Sequence, residues 1–219
     1  MKIGTDGVLL GAWTPLTSNP NTILDVGAGT GIISLQLAQR SDAQTIDAIE
    51  IDDNAYEQCT ENFENSHWGD RLFCYHASVQ EFASEIDETY DLIVSNPPFY
   101  SEDYKSSDEA RDTARFTDAL PFQHLLVCVA HLLSEEGVFS VIIPKKEEEG
   151  FISLASESDL FPFKICHVQG TPSSEVKRSM LAFSFQKKKT ETTSLVIENS
   201  RHDYTPEYIQ LVQDFYLKM

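Results

Sequence analysis

An α/β architecture, with a mostly parallel sheet of seven strands and helices on both faces, is predicted by three features of this 219-residue chain. Short apolar runs alternate with helical patterns along most of its length. A glycine-rich turn, Asp25-Val26-Gly27-Ala28-Gly29-Thr30-Gly31, joins the first of these runs to the first helical pattern. A stiff second turn, Asn96-Pro97-Pro98-Phe99, closes the fourth run.

Thr22 to Gly27 reads as the first strand, and a helix follows through Ile32, Ile33, Leu35, Leu37 and Ala38. Thr45 to Glu50 is the second strand. Asp53 to Asn65 is an acid-rich, exposed helix with Asp52 or Asp53 as its cap. Leu72 to Ala77 is the third strand and Tyr90 to Ser95 the fourth. Pro121 to Leu133 carries apolar residues at helical spacing, and Val138 to Ile143 is the fifth strand. Phe163 to Val168 and Met180 to Phe185 are two more strands, forming an antiparallel hairpin across Gly170 to Arg178. Lys187 to Ser194 is charged, Thr-rich and linker-like, and Pro206 to Leu217 is a final amphipathic helix. The whole is expected to be one domain, 1–219, with an amino-terminal element (1–20) and a carboxyl-terminal extension (187–219). Ser101 to Asp118 is a long polar loop of the kind that often forms a lid beside a site.

Composition excludes several classes. No apolar run approaches the ~20 residues of a membrane span, and the amino terminus lacks the apolar core of a signal peptide. A cytoplasmic monomer is expected. Cys59, Cys74, Cys128 and Cys166 are widely spaced and no two histidines stand four apart, so neither metal nor disulfide framework is expected. A net charge of −19 is awkward for a nucleic-acid binder. Yet half of all Lys and Arg falls between Lys145 and Lys189, so any RNA should dock on the carboxyl-terminal side. Most of the acids read as a solvated surface.

The glycine turn lies at a strand-to-helix junction, where backbone N–H groups face a ligand. Dinucleotide binders need G-x-G-x-x-G, but the third position here is Ile32. The observed G-x-G-x-G cradles no pyrophosphate and suits S-adenosylmethionine, with Asp25 placed for its amino end. Glu50 ends the next strand, where a carboxylate accepts both ribose hydroxyls and repels the extra phosphate of NADP. Without a ligand the three glycines would be only a tight turn.

The second turn is rigid because both prolines fix φ and Asn96, before a proline, is pushed toward extended backbone. It holds an amide side chain, free carbonyls and an aromatic ring at a strand's carboxyl end. That set suits a planar amino group: oxygens accept its N–H bonds while Phe99 covers the flat face. An amine methyltransferase is the reading these two turns support.

Together these residues resemble the class I S-adenosylmethionine-dependent methyltransferases with their Rossmann-like fold. Met1 to Trp13, the Arg111-Asp112-x-x-Arg115 loop and Asp214 to Leu217 narrow the resemblance to the bacterial tRNA1(Val) adenine-N6 methyltransferases, nearly end to end. The resemblance implies S-adenosylmethionine as cofactor, tRNA as partner, and methylation of adenosine 37 beside the anticodon. It implies a cofactor site of Thr5, Asp6, Asp25, Gly27, Gly29, Gly31, Glu50, Ile51 (on the adenine ring) and Asn96, and a catalytic turn of Asn96, Pro97, Pro98 and Phe99. Relatives carry Asp where Ser78 stands, so a contact to the adenine amino group is expected to be weaker or made by backbone. Relatives also begin before the position of Met1, so the start is expected to be naturally short or misassigned.

Arg111 and Arg115 read either as phosphate contacts and lid closure or as a surface pair with Asp112 between them. Lys177 and Arg178, and the Lys187 to Lys189 run, read as tRNA backbone contacts or as solvated surface. The alternatives to tRNA adenine are another amino group (protein glutamine, rRNA guanine, DNA adenine) or a non-catalytic cofactor-binding protein associated with RNA.

Overall fold

A computed structural model describes residues 4–16, 19–98 and 121–218. Phe99, Arg111 and Arg115 lie outside the described residues. Eight strands form the main sheet in the order β3-β2-β1-β4-β5-β7-β6-β8. They are β1 (Thr22–Val26), β2 (Thr45–Glu50), β3 (Leu72–His76), β4 (Tyr90–Ser95), β5 (Leu133–Pro144), β6 (Phe161–Gln169), β7 (Val176–Ser184) and β8 (Glu191–Val196). β3, β2, β1, β4 and β5 are parallel to one another, and β7 runs antiparallel to both β5 and β6.

The sheet has one strand more than the sequence pattern predicts. Glu191–Val196 pairs in parallel with Lys164–Gln169 and so takes part of the stretch that reads as a linker. The reason is its position at the sheet edge. Of its six residues only Leu195 is buried, so it needs no apolar run, and its β-branched threonines suit an extended backbone. A short separate hairpin, β9 (Glu198–Ser200) with β10 (Asp203–Tyr204), follows it.

Helices cover both faces because the central strands are apolar on both. On one face lie α1 (Thr5–Trp13), α2 (Ile32–Arg40), α3 (Asp53–Glu64) and the last helix, α7 (Pro206–Val212), around Ile23, Ile46, Leu92, Ile142 and Met180. On the other lie α4 (Val79–Glu85), α5 (Phe122–Leu132) and α6 (Glu148–Glu157), around Leu24, Ile49, Ile93, Phe139 and Phe183.

The amino-terminal element is a helix buried from Gly7 to Trp13. It runs down the sheet beside α2, which holds it by polar contacts. Gln36 Nε2 donates to the Val8 carbonyl at 3.1 Å. The Arg40 guanidinium donates to the carbonyls of Gly11 and Thr14, satisfying acceptors that a helix carboxyl end leaves open. The opposite end of α1 reaches the edge of the sheet where β5 finishes, since Asp6 pairs with Arg178, which lies opposite Pro144.

Candidate active site

The carboxyl ends of the parallel strands form one edge, and ligands of open α/β sheets bind there. β1 and β4 are adjacent, with Val26 opposite Ser95. Their strands are about 4.8 Å apart, so the next residues, Gly27 and Asn96, start the two predicted turns side by side. The Ser95 hydroxyl donates to the Val26 carbonyl at 2.9 Å and ties the strands just below this point. Asn96 is half-buried, Pro97 buried and Pro98 exposed.

Gly31 is the N-cap of α2, with φ 75°. A Cβ there would stand 2.5 Å from Phe63 Cε1 and 2.9 Å from Cys59 Sγ, so glycine is needed for both its backbone angle and its lack of bulk. Gly27 differs. At φ 74° it faces open space, with nothing within 4 Å of an added Cβ.

Glu50 locks this loop to β2. One carboxylate oxygen accepts from the Gly29 N–H at 2.7 Å, and the other accepts from Ile51 and Asp52 at 2.8 and 2.9 Å. A carboxylate has about four acceptor directions, so three backbone donors leave about one for a hydroxyl donor, on the oxygen that accepts from Gly29 alone. Beside it Ile51 is 61% exposed, an apolar surface next to a fixed anion. His76 braces the Ile51 turn, with Nε2 3.0 Å from the Ile51 carbonyl and 3.1 Å from an Asp53 carboxylate oxygen. An open glycine, a pinned acid and an apolar side chain, with no Lys or Arg between Asp25 and Gln39, fit an uncharged ribose and adenine better than a pyrophosphate.

Asp25 lies beneath the glycine turn. It has no exposed surface. Its Oδ2 accepts from the Ser34 hydroxyl at 2.7 Å and the Ser34 N–H at 3.2 Å, while Oδ1 has no partner among the described residues. The side chain therefore fixes the first turn of α2 from below, and Ser34 is the partner the sequence pattern did not single out. Burial pushes the Asp25 carboxyl up to about 7, against the bonds from Ser34 and with help from the charge of Glu50. From about pH 4 to pH 7 the folded state keeps a proton that the unfolded chain has lost, so this group subtracts stability as pH rises through that window. Asp25→Asn should gain on the parent across that range in denaturation experiments and hold a constant difference above it.

Ser78 caps α4. Its hydroxyl accepts from the Glu81 N–H while Glu81 Oε2 accepts from the Ser78 N–H, the reciprocal pattern of a capping box, and the hydroxyl also donates to Oε2. The hydroxyl and the N–H of Ser78 are thus both engaged locally, and its carbonyl accepts from the Phe82 N–H.

The β5 and β7 end of the same edge is polar. Glu148, 7% exposed, accepts from Lys145 Nζ at 2.8 Å, from the Ser179 hydroxyl, and lies 2.9 Å from His167 Nε2. Burial pushes its carboxyl up, but the bonds from Lys145 and Ser179 and the charge of His167 hold it below the ordinary value. Arg178 pairs with Asp6 at 2.7 Å. Lys187 and Lys188 sit elsewhere, over the rings of Phe161 and Phe163 at 4.4 and 5.8 Å. Phe161 pairs with Ser184, at the far end of β7 from Arg178. Six residues of strand place that run about 20 Å from the Asn96 edge.

The family model of the methyltransferase small domain matches residues 8–119. A curated relative from Flavobacterium psychrophilum, the tRNA1(Val) (adenine(37)-N6)-methyltransferase, is 62% identical over all of this chain and 94% of its own length. Relatives with the same name from Bacteroides fragilis and Pseudoalteromonas translucida are 43% and 39% identical, again over all of this chain and over 92% and 93% of their own. Among solved structures, a predicted O-methyltransferase of Agrobacterium tumefaciens has a TM-score of 0.73 at 16% identity, covering 95% of this chain and 96% of its own. The ribosomal protein L11 methylase of Lactobacillus delbrueckii has a TM-score of 0.57 at 16% identity, covering 84% and 77%. At those identities the structural likeness speaks for the fold alone.

Proposed function

We propose, since this chain belongs to the methyltransferase small domain family and groups with the tRNA1(Val) (adenine(37)-N6)-methyltransferases, that it methylates the exocyclic N6 of adenosine 37 in tRNA1(Val), with S-adenosylmethionine as methyl donor. The observation that carries the chemistry is the Val26–Ser95 register, which sets Asn96 beside the glycine turn. A tRNA is a cytoplasmic substrate, so the enzyme works in that compartment.

Bound S-adenosylmethionine supplies an electrophilic methyl group on a sulfonium. Glu50 would hold a ribose hydroxyl, Ile51 would pack on the adenine, and the Gly27 to Gly31 backbone would lie along the amino-acid end. Asn96 deals with the nucleophile. The N6 lone pair of adenine is delocalised into the ring, which makes it a poor nucleophile. Acceptance of both N–H bonds by the Asn96 side chain and the Pro97 carbonyl favours a pyramidal nitrogen with its lone pair free. Those bonds strengthen as positive charge develops on nitrogen, which is stabilisation of the transition state over the ground state. The rigid diproline supplies alignment, and Phe99 covers the base. An adenosine in a loop costs less to turn out than one in a duplex. The proton is lost after transfer, so no strong general base is needed.

Glu50→Gln places a donor where three backbone N–H groups need acceptors. It should weaken S-adenosylmethionine binding by about 10–100-fold, the worth of a charge-assisted bond, as read by titration calorimetry. The reading as a whole is tested with two transcripts of tRNA1(Val), one with adenosine and one with guanosine at position 37. Labelled methyl should enter the first alone; equal labelling of both would reject the assigned position.

A further inference from the structure

Asp6 and Arg178 are 172 residues apart in sequence, yet the Arg178 Nε donates to Asp6 Oδ2 at 2.7 Å. From their places in the sequence they belong to different tasks, Asp6 to the cofactor side and Arg178 to the tRNA side. Their geometry gives them one. α1 is anchored from α2 through Val8 near its middle and through Gly11 and Thr14 toward its carboxyl end. Its amino end carries Thr5 and Asp6 and meets the sheet at β7, opposite Pro144 of β5. The pair joins that end to the rim. Arg178 also spends Nη1 on the Lys177 carbonyl at 3.1 Å, so its guanidinium is oriented from both sides. The two side chains are 33% and 27% exposed, which leaves the pair partly shielded from solvent.

We propose that Arg178 is a positioning residue for the cofactor site, acting through Asp6 to hold the start of α1 over the strand ends, rather than a ligand for tRNA phosphate. The inference rests on the reading above that Thr5 and Asp6 border the cofactor. A phosphate ligand and a positioning residue differ in what they control. Loss of a phosphate contact lowers tRNA affinity and reduces the salt slope of tRNA binding by about one. Loss of a positioning contact weakens S-adenosylmethionine binding when no tRNA is present.

The test is a double-substitution cycle on the full chain, read by calorimetric titration of S-adenosylmethionine without tRNA. Arg178→Gln and Asp6→Asn should each raise Kd by about fivefold, the upper range for a partly exposed ion pair. Arg178 has further interactions, so the coupling carries the argument: in the Arg178→Gln background the effect of Asp6→Asn should fall to under half. Arg178→Lys, which keeps the cation, should stay within about twofold of the parent, and the salt slope for tRNA should be unchanged in Arg178→Gln. An unchanged cofactor Kd in Arg178→Gln, a full Asp6→Asn effect in its background, or a salt slope reduced by about one would overturn the proposal. If Arg178→Gln does not fold, Arg178→Met, which keeps the aliphatic stem and removes the cation, takes its place in the same cycle. Failure of the parent to bind S-adenosylmethionine would instead reject the functional reading beneath it.

Discussion

Asn96→Ala should reduce single-turnover methyl transfer by at least about 10²–10³-fold, the cost of deleting one preorganised polar contact to a transition state. S-adenosylmethionine affinity should stay nearly unchanged, because the loop contacts that fix Gly29 come from Glu50 and not from Asn96. The asymmetry is the informative part. Asn96 follows a strand residue whose hydroxyl is already committed to Val26, so truncation of the amide leaves the β1–β4 junction standing. Asn96→Asp keeps acceptor oxygens at the same place and should retain more activity than the alanine variant. Rapid-quench transfer assays with calorimetry on the same preparations separate the two quantities. A large loss of cofactor binding in Asn96→Ala would mean that the side chain serves the cofactor and not the target base.

Gly31→Ala is the second large effect, and it acts on stability as well as on binding. An L-residue at φ 75° costs roughly 1–2 kcal/mol. The new methyl must also displace Phe63 and Cys59, which are both fully packed between α3 and the loop, and overpacking of this kind costs about 1–3 kcal/mol. The sum, roughly 2–5 kcal/mol, is a large part of the 5–15 kcal/mol stability of an ordinary domain. The variant should show a lowered urea midpoint and no measurable S-adenosylmethionine binding, since Gly31 starts the helix whose first turn borders the site. Gly27→Ala is the control on packing. It shares the positive φ but meets nothing, so it should lose less stability.

The parts of this fold that were legible in the sequence are those whose burial leaves a period. β1, β2 and β4 are buried along almost their whole length, and their apolar runs give both position and order. The glycine turn was legible because its backbone angles demand a residue type. α1 left no helical signature for the opposite reason. With Gly7 to Trp13 all buried, it has no polar face to alternate with an apolar one. α4 is short, and its signal was the Ser78-x-x-Glu81 capping pattern rather than a period. β8 was hidden by its polar surface at the sheet edge.

The candidate site divides the same way. Gly27, Glu50 and Asn96 announce themselves by residue type at strand ends, and the register brings them together. The pairing of Asp6 with Arg178 and the gathering of Lys145, Glu148, His167 and Ser179 depend on β7 folding back against β5. No local pattern encodes contacts between residues so far apart in the chain. The Lys187 to Lys189 run shows the converse. Its composition reads as an RNA contact or as solvated surface, and the fold sets Lys187 and Lys188 over Phe161 and Phe163, at the far end of β7 from Arg178.

The central claim is that the Asn96 corner presents oxygens to an exocyclic adenine nitrogen beside the methyl donor. It is tested most directly by incubating the purified chain with labelled S-adenosylmethionine and total tRNA from a strain lacking the modification, then digesting the RNA to nucleosides. The account predicts label in N6-methyladenosine, confined to tRNA1(Val). Label in a methylated guanosine or on protein glutamine, or no label despite measured cofactor binding, would contradict it.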